Sequence, residues 1–357
     1  MDRIGQGMKR LLLMACLASA FAYAWQQLDE IPLLVVGQPT TTGTIQKARE
    51  APFFDALGKT TQIPFRITYK PLDHIGLKDN YQLQMLKNGT IDLASLRFTQ
   101  NSADEPSLQG IDLIGMISDY DDAEQVIAAY TSTVDHYLQT KFNTKLLGVW
   151  TFGPQEIFCK RPIKQLNDIK GLKVRVPSPA VSSYISELGA TPAVISFDET
   201  KNALGLGLVD CAITSAASAN FAGWPKFARY NYPIATQFGL NGYAISLRKW
   251  NALSRQQQSK LQGTFDTYLR TLWQFSKELH IDAAKCNTGG HCKYGTPYQG
   301  ASASVSAKDI QLSRQIMIRT VLPEWGKRCE KVHPGCLAIW QQKLATYLDD
   351  WKGKGTL

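Results

Sequence analysis

The chain has 357 residues, of which 44% are hydrophobic and 19% charged, and its formal net charge is +9. This length predicts two domains or one large domain, and the ordinary apolar fraction predicts a globular protein. The basic residues are scattered along the chain, which argues against nucleic-acid binding and is compatible with attraction of small anions.

The N-terminus has the pattern of an export signal. MDRIGQGMKR is a basic segment, LLLMACLASAFA is an apolar run too short to span a bilayer, and AYA supplies a small-x-small cleavage site. The pattern predicts a signal peptide over residues 1–24 and a periplasmic mature chain. Lipidation at Cys16 is the weaker alternative, because Met14 suits a lipobox poorly.

The next segment alternates strand-like and helix-like stretches. IPLLVVG is typical of a buried strand, PFRITYKPL of a second strand, and YQLQMLKNG of a helix that Gly89 ends. TIDLASLRF, LLGVWTF and QEIFCK are also strand-like, and DDAEQVIAAYTSTVDHYLQTKF has helical periodicity. The alternation predicts an α/β architecture with largely parallel sheets.

Two segments share one pattern. In MLKNGTIDLASLRF and LGLGLVDCAITSAA, a helix end is followed by Gly, two residues, Asp and an apolar strand. Gly89 and Asp92 in the first segment correspond to Gly207 and Asp210 in the second. The correspondence suggests two similar α/β units, or lobes, that face each other across a cleft.

The C-terminal part is predicted to be mainly helical. KWNALSRQQQSKLQGTFDTYLRTLWQFSKELHIDAAK is one long helical pattern, for which Ser254 is a suitable N-cap. A helix of about thirty residues is long enough to span both lobes. Ser306 is the predicted cap of a later helix, and CLAIWQQKLATYLDDW is predicted to form the last one.

Six cysteines follow the predicted signal peptide, and an even number in an oxidising compartment predicts disulfides. Two close pairs predict local bridges, Cys286–Cys292 and Cys329–Cys336. A metal site that adds His291 and His333 to these four cysteines is the alternative, but the spacings differ from those of zinc modules. Cys159 and Cys211 either pair or remain buried thiols.

The segment GLKVRVPSP places a charge inside a short apolar strand. Val174 and Val176 share one face of this strand, and Lys173 and Arg175 share the other. Either the strand lies at a sheet edge with a wet face, or Arg175 points into a cleft. In a cleft, the guanidinium can hold a carboxylate through two parallel hydrogen bonds.

The block around this strand resembles a known family. GLKVRVPSP followed by ELGATPAVISFDETKNALGLGLVDCAI is similar to the signature of the DctP-like substrate-binding proteins of TRAP transporters, as are LKNGTIDLAS and NGYAISLRKWNALSRQQQSKLQ. The resemblance covers nearly the whole mature chain. It implies a periplasmic, two-lobed receptor that closes on an organic acid and delivers it to a membrane permease. The family's defining arginine falls on Arg175.

This sequence departs from the family pattern at several positions. Gln155 stands where well-known members have a second arginine, and Thr214 and Ser215 stand near the place where many members have an Asn. We hypothesise that Arg97, after the first lobe's strand, supplies a second cation. The departures argue against assuming a plain C4-dicarboxylate as the ligand.

Four further residues are weaker candidates for the ligand site. Each lies in a block that resembles the family or at a strand end, where ligands of open α/β sheets gather. They are Phe197, Asn241, Trp150 and Gln38. Core packing or turn capping is the alternative role for the aromatic residues and for Asn241.

These observations predict a solute receptor and not an enzyme. The sequence has no G-x-S-x-G, P-loop or G-x-G-x-x-G motif, and no cofactor or metal is expected. The expected partners are a small organic acid and the small and large subunits of a TRAP permease, with the receptor itself monomeric or, alternatively, dimeric. A receptor of an ATP-driven importer, or a sensor or enzyme domain on the same two-lobed frame, is the alternative.

The predicted fold is that of a two-lobed periplasmic binding protein. Each lobe has a mixed sheet flanked by helices, and crossing hinge strands and one long helix join the lobes. The first lobe is predicted to comprise residues 25–152 and 241–280, and the second lobe residues 153–240 and 281–357 with the C-terminal helices.

Overall fold

The computed structural model describes residues 30–76 and 78–353 of the chain. The predicted signal peptide, its cleavage site and Cys16 lie outside these residues. Within this part of the chain, every helix is too short or too polar to cross a bilayer.

The strands form two mixed sheets. In chain order they are β1 (Ile31–Gly37), β2 (Phe65–Pro71), β3 (Leu93–Arg97), β4 (Thr144–Thr151), β5 (Gln155–Cys159), β6 (Lys173–Val176), β7 (Thr191–Val194), β8 (Cys211–Ser215), β9 (Tyr230–Gln237), β10 (Leu240–Ser246) and β11 (Ala301–Ser302). The first sheet has the order β2-β1-β3-β10-β4 and the second the order β11-β9-β5-β8-β6-β7. Each sheet combines parallel and antiparallel pairs, so the predicted α/β architecture with mixed sheets is confirmed.

Helices flank both sheets. They are α1 (Ala51–Thr61), α2 (Gln82–Lys87), α3 (Phe98–Asn101), α4 (Ser107–Gly110), α5 (Tyr120–Phe142), α6 (Ser182–Glu187), α7 (Phe197–Leu206), α8 (Ala216–Ala222), α9 (Leu247–Ala252), α10 (Arg255–Asn287), α11 (Ala307–Ile316), α12 (Leu322–Val332), α13 (Cys336–Lys343) and α14 (Ala345–Gly353). Single turns of 3-10 or π helix join several of them, including Asp79–Tyr81 before α2.

The long helix α10 contacts both halves of the molecule. It begins at the predicted cap, where Ser254 and Gln257 form a reciprocal capping box. The helix packs against β4 and α1 of the first half and against α8 of the second half. At 33 residues it extends for about 50 Å, which is long enough to reach both sheets.

The segments that share a sequence pattern also share a structure. Asp92 exchanges two hydrogen bonds with the backbone of Leu34 in β1, and Asp210 makes the same exchange with the backbone of Lys173 in β6. In both cases the carboxylate accepts from the strand N–H at 2.9 Å. Each aspartate therefore aligns a strand with its parallel neighbour at the same point of the two sheets.

Two short connections, or crossings, join the sheets, at residues 152–154 and 238–239, and a buried carboxylate holds the second one. Asp112 accepts hydrogen bonds from the N–H groups of Phe238 at 2.8 Å and Leu240 at 3.1 Å. Burial raises the pKa of Asp112 to about 6 although these hydrogen bonds oppose the rise. Gly153 and Gly239 have φ values of 89° and 58°, which glycine adopts without strain. The crossings thus have fixed geometry next to Gln155 and Asn241.

Three disulfides join the six cysteines of the described chain. Cys286–Cys292 and Cys329–Cys336 close the two short loops, as the spacing predicted, and the third bond is Cys159–Cys211. The last bond links residues that lie directly opposite each other on β5 and β8, with 4.1 Å between their Cα atoms. It closes a separation of 52 residues, whereas Cys286–Cys292 closes only 6.

We expect Cys159–Cys211 to contribute more stability than Cys286–Cys292. On the chain-entropy model, the longer loop corresponds to about 4 kcal/mol and the shorter loop to about 2 kcal/mol of unfolding free energy. Denaturant unfolding of Cys159→Ala/Cys211→Ala and of Cys286→Ala/Cys292→Ala measures both quantities. An equal or larger loss from the short-loop variant would contradict this ordering.

Candidate ligand site

Arg175 is buried in the second sheet. It lies in β6, between β7 and β8, which excludes a wet sheet edge, and only 3% of the residue is exposed. Its Nε donates to the carbonyl of Ile195 and its Nη1 to the carbonyl of Ile213, both at 2.8 Å. Among the described residues, no carboxylate forms an ion pair with this guanidinium and none accepts a hydrogen bond from Nη2.

Burial, with a further contribution from the charge of Arg97, lowers the pKa of Arg175 to about 9. The guanidinium is therefore protonated at neutral pH. A buried charge without a counter-ion is costly, so the position favours an anion at Nη2.

The ring of Trp224 lies beside this guanidinium, and the ring of Phe197 packs against Trp224. The Cζ atom of Arg175 is 5.5 Å from the ring centroid of Trp224, within the range of a cation–π contact. The ring of Phe197, which begins α7, is 5.2 Å from the ring of Trp224. Phe197 is partly buried, whereas Trp224 is fully buried. Trp224 thus provides an apolar surface next to the cation, and Phe197 extends it.

Three predicted polar residues lie at one end of β5 and β8. Gln155 is directly opposite Ser215, and its side chain donates to the carbonyl of Gly153 at 2.9 Å. The hydroxyl of Ser215 accepts from the N–H of Ser218 and so caps α8. Thr214 is buried and follows Ile213, whose carbonyl binds Arg175. These neutral groups therefore lie one and two residues beyond an anchor of the arginine.

Arg97 ends β3 and is not a free cation. Its Nη1 is 2.8 Å from Oδ2 of Asp79, and the two side chains are 14% and 29% exposed. Its Nε is buried and has no hydrogen-bond partner among the described residues. The hypothesis of a second cation thus has to include the carboxylate of Asp79.

Arg97, Asn241 and Trp150 form a row across three strands. Asn241 lies directly opposite Arg97 on one side and Trp150 on the other. Its side chain donates to the carbonyl of Gly239 at 2.8 Å. Trp150 is fully buried and packs against Phe152, with 4.8 Å between the ring centroids. Trp150 therefore belongs to the core of the first sheet, and its contact with a ligand stays a prediction.

Gln38 is fully buried beyond the end of β1. Its Nε2 donates to the carbonyl and the hydroxyl of Ser95 at 3.2 and 3.1 Å. Its Oε1 has no partner among the described residues. The N–H of Gln38 donates to Glu50, a carboxyl whose pKa is raised by complete burial. Gln38 is therefore held in place at the strand end, and its Oε1 atom is an acceptor without a partner among the described residues.

Two contacts join the halves of the molecule near these residues. Gln237, at the end of β9, donates from Nε2 to the hydroxyl of Thr99 at 3.0 Å. The ring of Phe221 in α8 packs directly on Gly43, where a Cβ atom would lie within 2.4 Å of the ring. Both contacts pair a residue near the first sheet with one near the second sheet.

The four cysteines and His333 of the metal alternative have other contacts. All four cysteines are in disulfides, and the carboxylate of Asp282 beside Cys286–Cys292 accepts from the N–H groups of Lys293 and Tyr294. His333 contacts the buried carboxylate of Glu105 at 2.8 Å. These contacts give the loops a structural role.

A buried carboxyl, that of Glu156, directly follows Gln155 in β5. Glu156 is 2% exposed and accepts a hydrogen bond from Nδ2 of Asn231 at 2.6 Å, and Nδ1 of His280 is 3.7 Å from its Oε1. Burial raises the pKa of Glu156 to about 7 and lowers the pKa of His280. Sequence reasoning missed Glu156, Asp79 and Asp112, because single acids in strands and turns carry no motif.

Comparison with protein families gives one match. The family described as bacterial extracellular solute-binding protein, family 7, matches residues 42–290. The sialic acid-binding periplasmic protein of Vibrio cholerae is 27% identical over 179 residues, which are 50% of this chain and 56% of that protein. The chain thus spans about half the length of the curated relatives that it matches first, 56% and 51%.

Solved structures share the fold. An extracytoplasmic solute receptor of Bordetella pertussis that binds pyroglutamic acid has a TM-score of 0.74 and 16% identity, over 88% of this chain and 99% of that one. A TRAP periplasmic solute binding protein of Rhodoferax ferrireducens with bound malonate has a TM-score of 0.73 and 20% identity, with the same shares covered. At these identities the likeness establishes the two-lobed fold.

We expect Glu156→Gln to change how stability depends on pH. A carboxyl whose pKa rises from 4.5 to about 7 on folding binds more protons in the folded state, so its contribution falls as pH rises through that window. The variant should therefore be more stable than wild type above pH 7, by about 3 kcal/mol. Denaturant unfolding between pH 5 and 8 measures the difference.

The control for this experiment is Glu124→Gln, which removes a half-exposed carboxylate from α5. It should leave the pH profile of the unfolding free energy close to that of wild type. Parallel profiles for wild type and Glu156→Gln would show that Glu156 is ionised in the folded protein.

Proposed function

The chain belongs to the bacterial extracellular solute-binding proteins of family 7, and we propose that it is a receptor for a carboxylate-containing organic acid. The observation that carries the proposal is Arg175, a buried guanidinium without a carboxylate partner among the described residues. Its Nε and one Nη are held by backbone carbonyls, so the side chain is already oriented before a ligand arrives.

A carboxylate is the ligand group that best fits this position. It supplies the missing negative charge and accepts a charge-assisted hydrogen bond from Nη2. Trp224 and Phe197 would face the carbon skeleton of the ligand. Two proteins that share the fold have pyroglutamic acid and malonate as ligands, and both are carboxylic acids. That likeness supports the chemical class and does not identify the acid.

We further propose that the receptor closes around its ligand. The two lobes would follow the predicted ranges, 25–152 with 241–280 and 153–240 with 281–357. In support, β1–β4 lie in the first range, and β5–β9 and β11 lie in the second. The two crossings near Asp112 would act as the hinge, and a ligand bound between the sheets would favour the closed form.

The delivery step of the proposal follows from the family. A receptor of this kind acts in the periplasm and passes its ligand to a TRAP permease with small and large membrane subunits. The family description, extracellular solute-binding protein, supports the location. Growth of a permease-deficient strain on the identified acid tests the delivery step separately from ligand binding.

We expect Arg175→Ala to abolish tight ligand binding. Loss of a buried charge partner costs about 3–5 kcal/mol, which corresponds to a rise in Kd of about 100-fold or more. Mass spectrometry of the small molecule that co-purifies with the wild-type protein identifies the acid, and isothermal titration calorimetry with that acid gives both Kd values.

Arg314→Ala is a matched control, because Arg314 is also buried and contacts Ser118 and Asp122 away from Arg175. It should lower the melting temperature and leave the Kd of the acid unchanged. Full affinity in Arg175→Ala, or a co-purified ligand without a carboxylate, would rule out the proposed function.

A further inference from the structure

Arg97 is held together with Asp79 as a fixed ion pair. The N–H of Arg97 donates to the side chain of Gln82 at 3.1 Å. The amide of Asn101 donates to the carbonyl oxygens of both Asp79 and Arg97 at 2.9 Å. The backbones of both partners are therefore held by one side chain, that of Asn101, which keeps Asp79 next to Arg97.

A series of contacts connects this ion pair, at the first sheet, with Arg175 in the second sheet. Asn241, directly opposite Arg97, donates to the carbonyl of Gly239. A Cβ atom on Gly239 would lie 2.6 Å from the amide nitrogen of Gln155. Gln155 in turn lies opposite Ser215, at the end of the strand whose Ile213 carbonyl binds Arg175. Strand pairing, a hydrogen bond and a close approach thus connect Arg97 with β8, the strand whose Ile213 carbonyl binds Arg175.

A second hydrogen bond also links the neighbourhood of Arg97 with Gln155. Thr99, two residues after Arg97, binds Gln237 across the two halves. Gln237 is paired with Gln155 on β5. The charges of Arg97 and Asp79 both act on Arg175, together with that of Asp198. Two cations and two carboxylates therefore influence the position where a ligand anion binds.

The arrangement of these four charges limits how many negative charges a bound ligand can carry. The first carboxylate of a ligand is attracted to Arg175, which has no carboxylate partner among the described residues. A second carboxylate directed at Arg97 would lie beside the carboxylate of Asp79, and like charges repel strongly where water is scarce. The remaining groups near the strand ends, Gln155, Asn241, Thr214 and Ser215, are neutral, and the side-chain hydrogen bonds of Gln155, Asn241 and Ser215 are with neutral polar groups.

We propose that Asp79 is a specificity-determining residue that selects monocarboxylates with an uncharged polar far end and rejects dicarboxylates. The proposal rests on the proposed function, because it takes Arg175 as the anchor of the ligand carboxylate. Asp79 acts through Arg97, whose charge it neutralises, and also repels a second ligand carboxylate directly.

The test compares acids that differ only at the far end. Succinate is paired with its half-amide succinamate, and glutarate with its half-amide glutaramate. Isothermal titration calorimetry on the dialysed protein gives the Kd ratio within each pair. The wild-type protein should bind at least one half-amide about tenfold or more tightly than its dicarboxylate. Asp79→Asn, which frees the charge of Arg97, should reduce that ratio to about one or invert it.

Two control variants separate selectivity from folding. Asp79→Glu keeps the charge and should keep the preference for the half-amide. Asp135→Asn removes an ion pair of similar exposure with Lys145 on the same sheet. Lys145 lies opposite Ile245, four residues along β10 from Asn241, so this variant should also keep the preference. Melting temperatures of all variants show whether they fold.

The outcomes distinguish this inference from the proposed function. A dicarboxylate that binds wild type as tightly as its half-amide, or a ratio unchanged in Asp79→Asn, would overturn the role of Asp79 and leave Arg175 as a carboxylate anchor. Absence of binding by all four acids would overturn the selectivity assigned to Asp79, whereas the carboxylate receptor itself is tested by the co-purified ligand and by Arg175→Ala.

Discussion

Burial of one guanidinium is the constraint on which the site depends. Arg175 lies inside the second sheet, where its charge loses hydration, and backbone carbonyls of Ile195 and Ile213 offset only part of that loss. The carbonyls bind two of its nitrogen atoms and leave a third for an external acceptor. An arginine in this state is oriented and incompletely neutralised, which is the arrangement that a carboxylate receptor requires.

The two crossings between the sheets bring the other polar groups to this charge. Gln155 begins β5 after the first crossing, and Asn241 is the second residue of β10 after the second crossing, so both lie at the boundary between the halves. Asp112 fixes the second crossing by accepting from the backbone on both sides of Gly239. A buried acid far from Arg175 in sequence therefore fixes the position of the strand end that carries Asn241.

Local sequence patterns predicted much of the fold. Ser254 as the cap of the long helix and the matching roles of Asp92 and Asp210 depend on residues a few positions apart or on adjacent strands, and such spacings are visible in a sequence. The position of Arg175 followed from strand alternation and from the family resemblance. Its burial did not follow from either, because edge and interior strands have the same alternation.

Tertiary pairs account for what the sequence did not predict. Asp79 meets Arg97 across 18 residues, and Asp112 meets Phe238 across 126. The residues around an isolated acid in a turn do not predict which distant group that acid will contact. The same limit applied to Cys159 and Cys211, for which the spacing left pairing and free thiols equally open until the strand order was known.

The Cys159–Cys211 bond has a consequence for the accuracy of the site. A slip of one residue between β5 and β8 would turn every side chain of one strand to the opposite face. The covalent bond between opposed residues forbids that slip, and the pair Gln155–Ser215 lies four positions further along the same two strands. The disulfide at one end of the two strands thus fixes their register, and the register determines that Gln155 faces Ser215 at the other end.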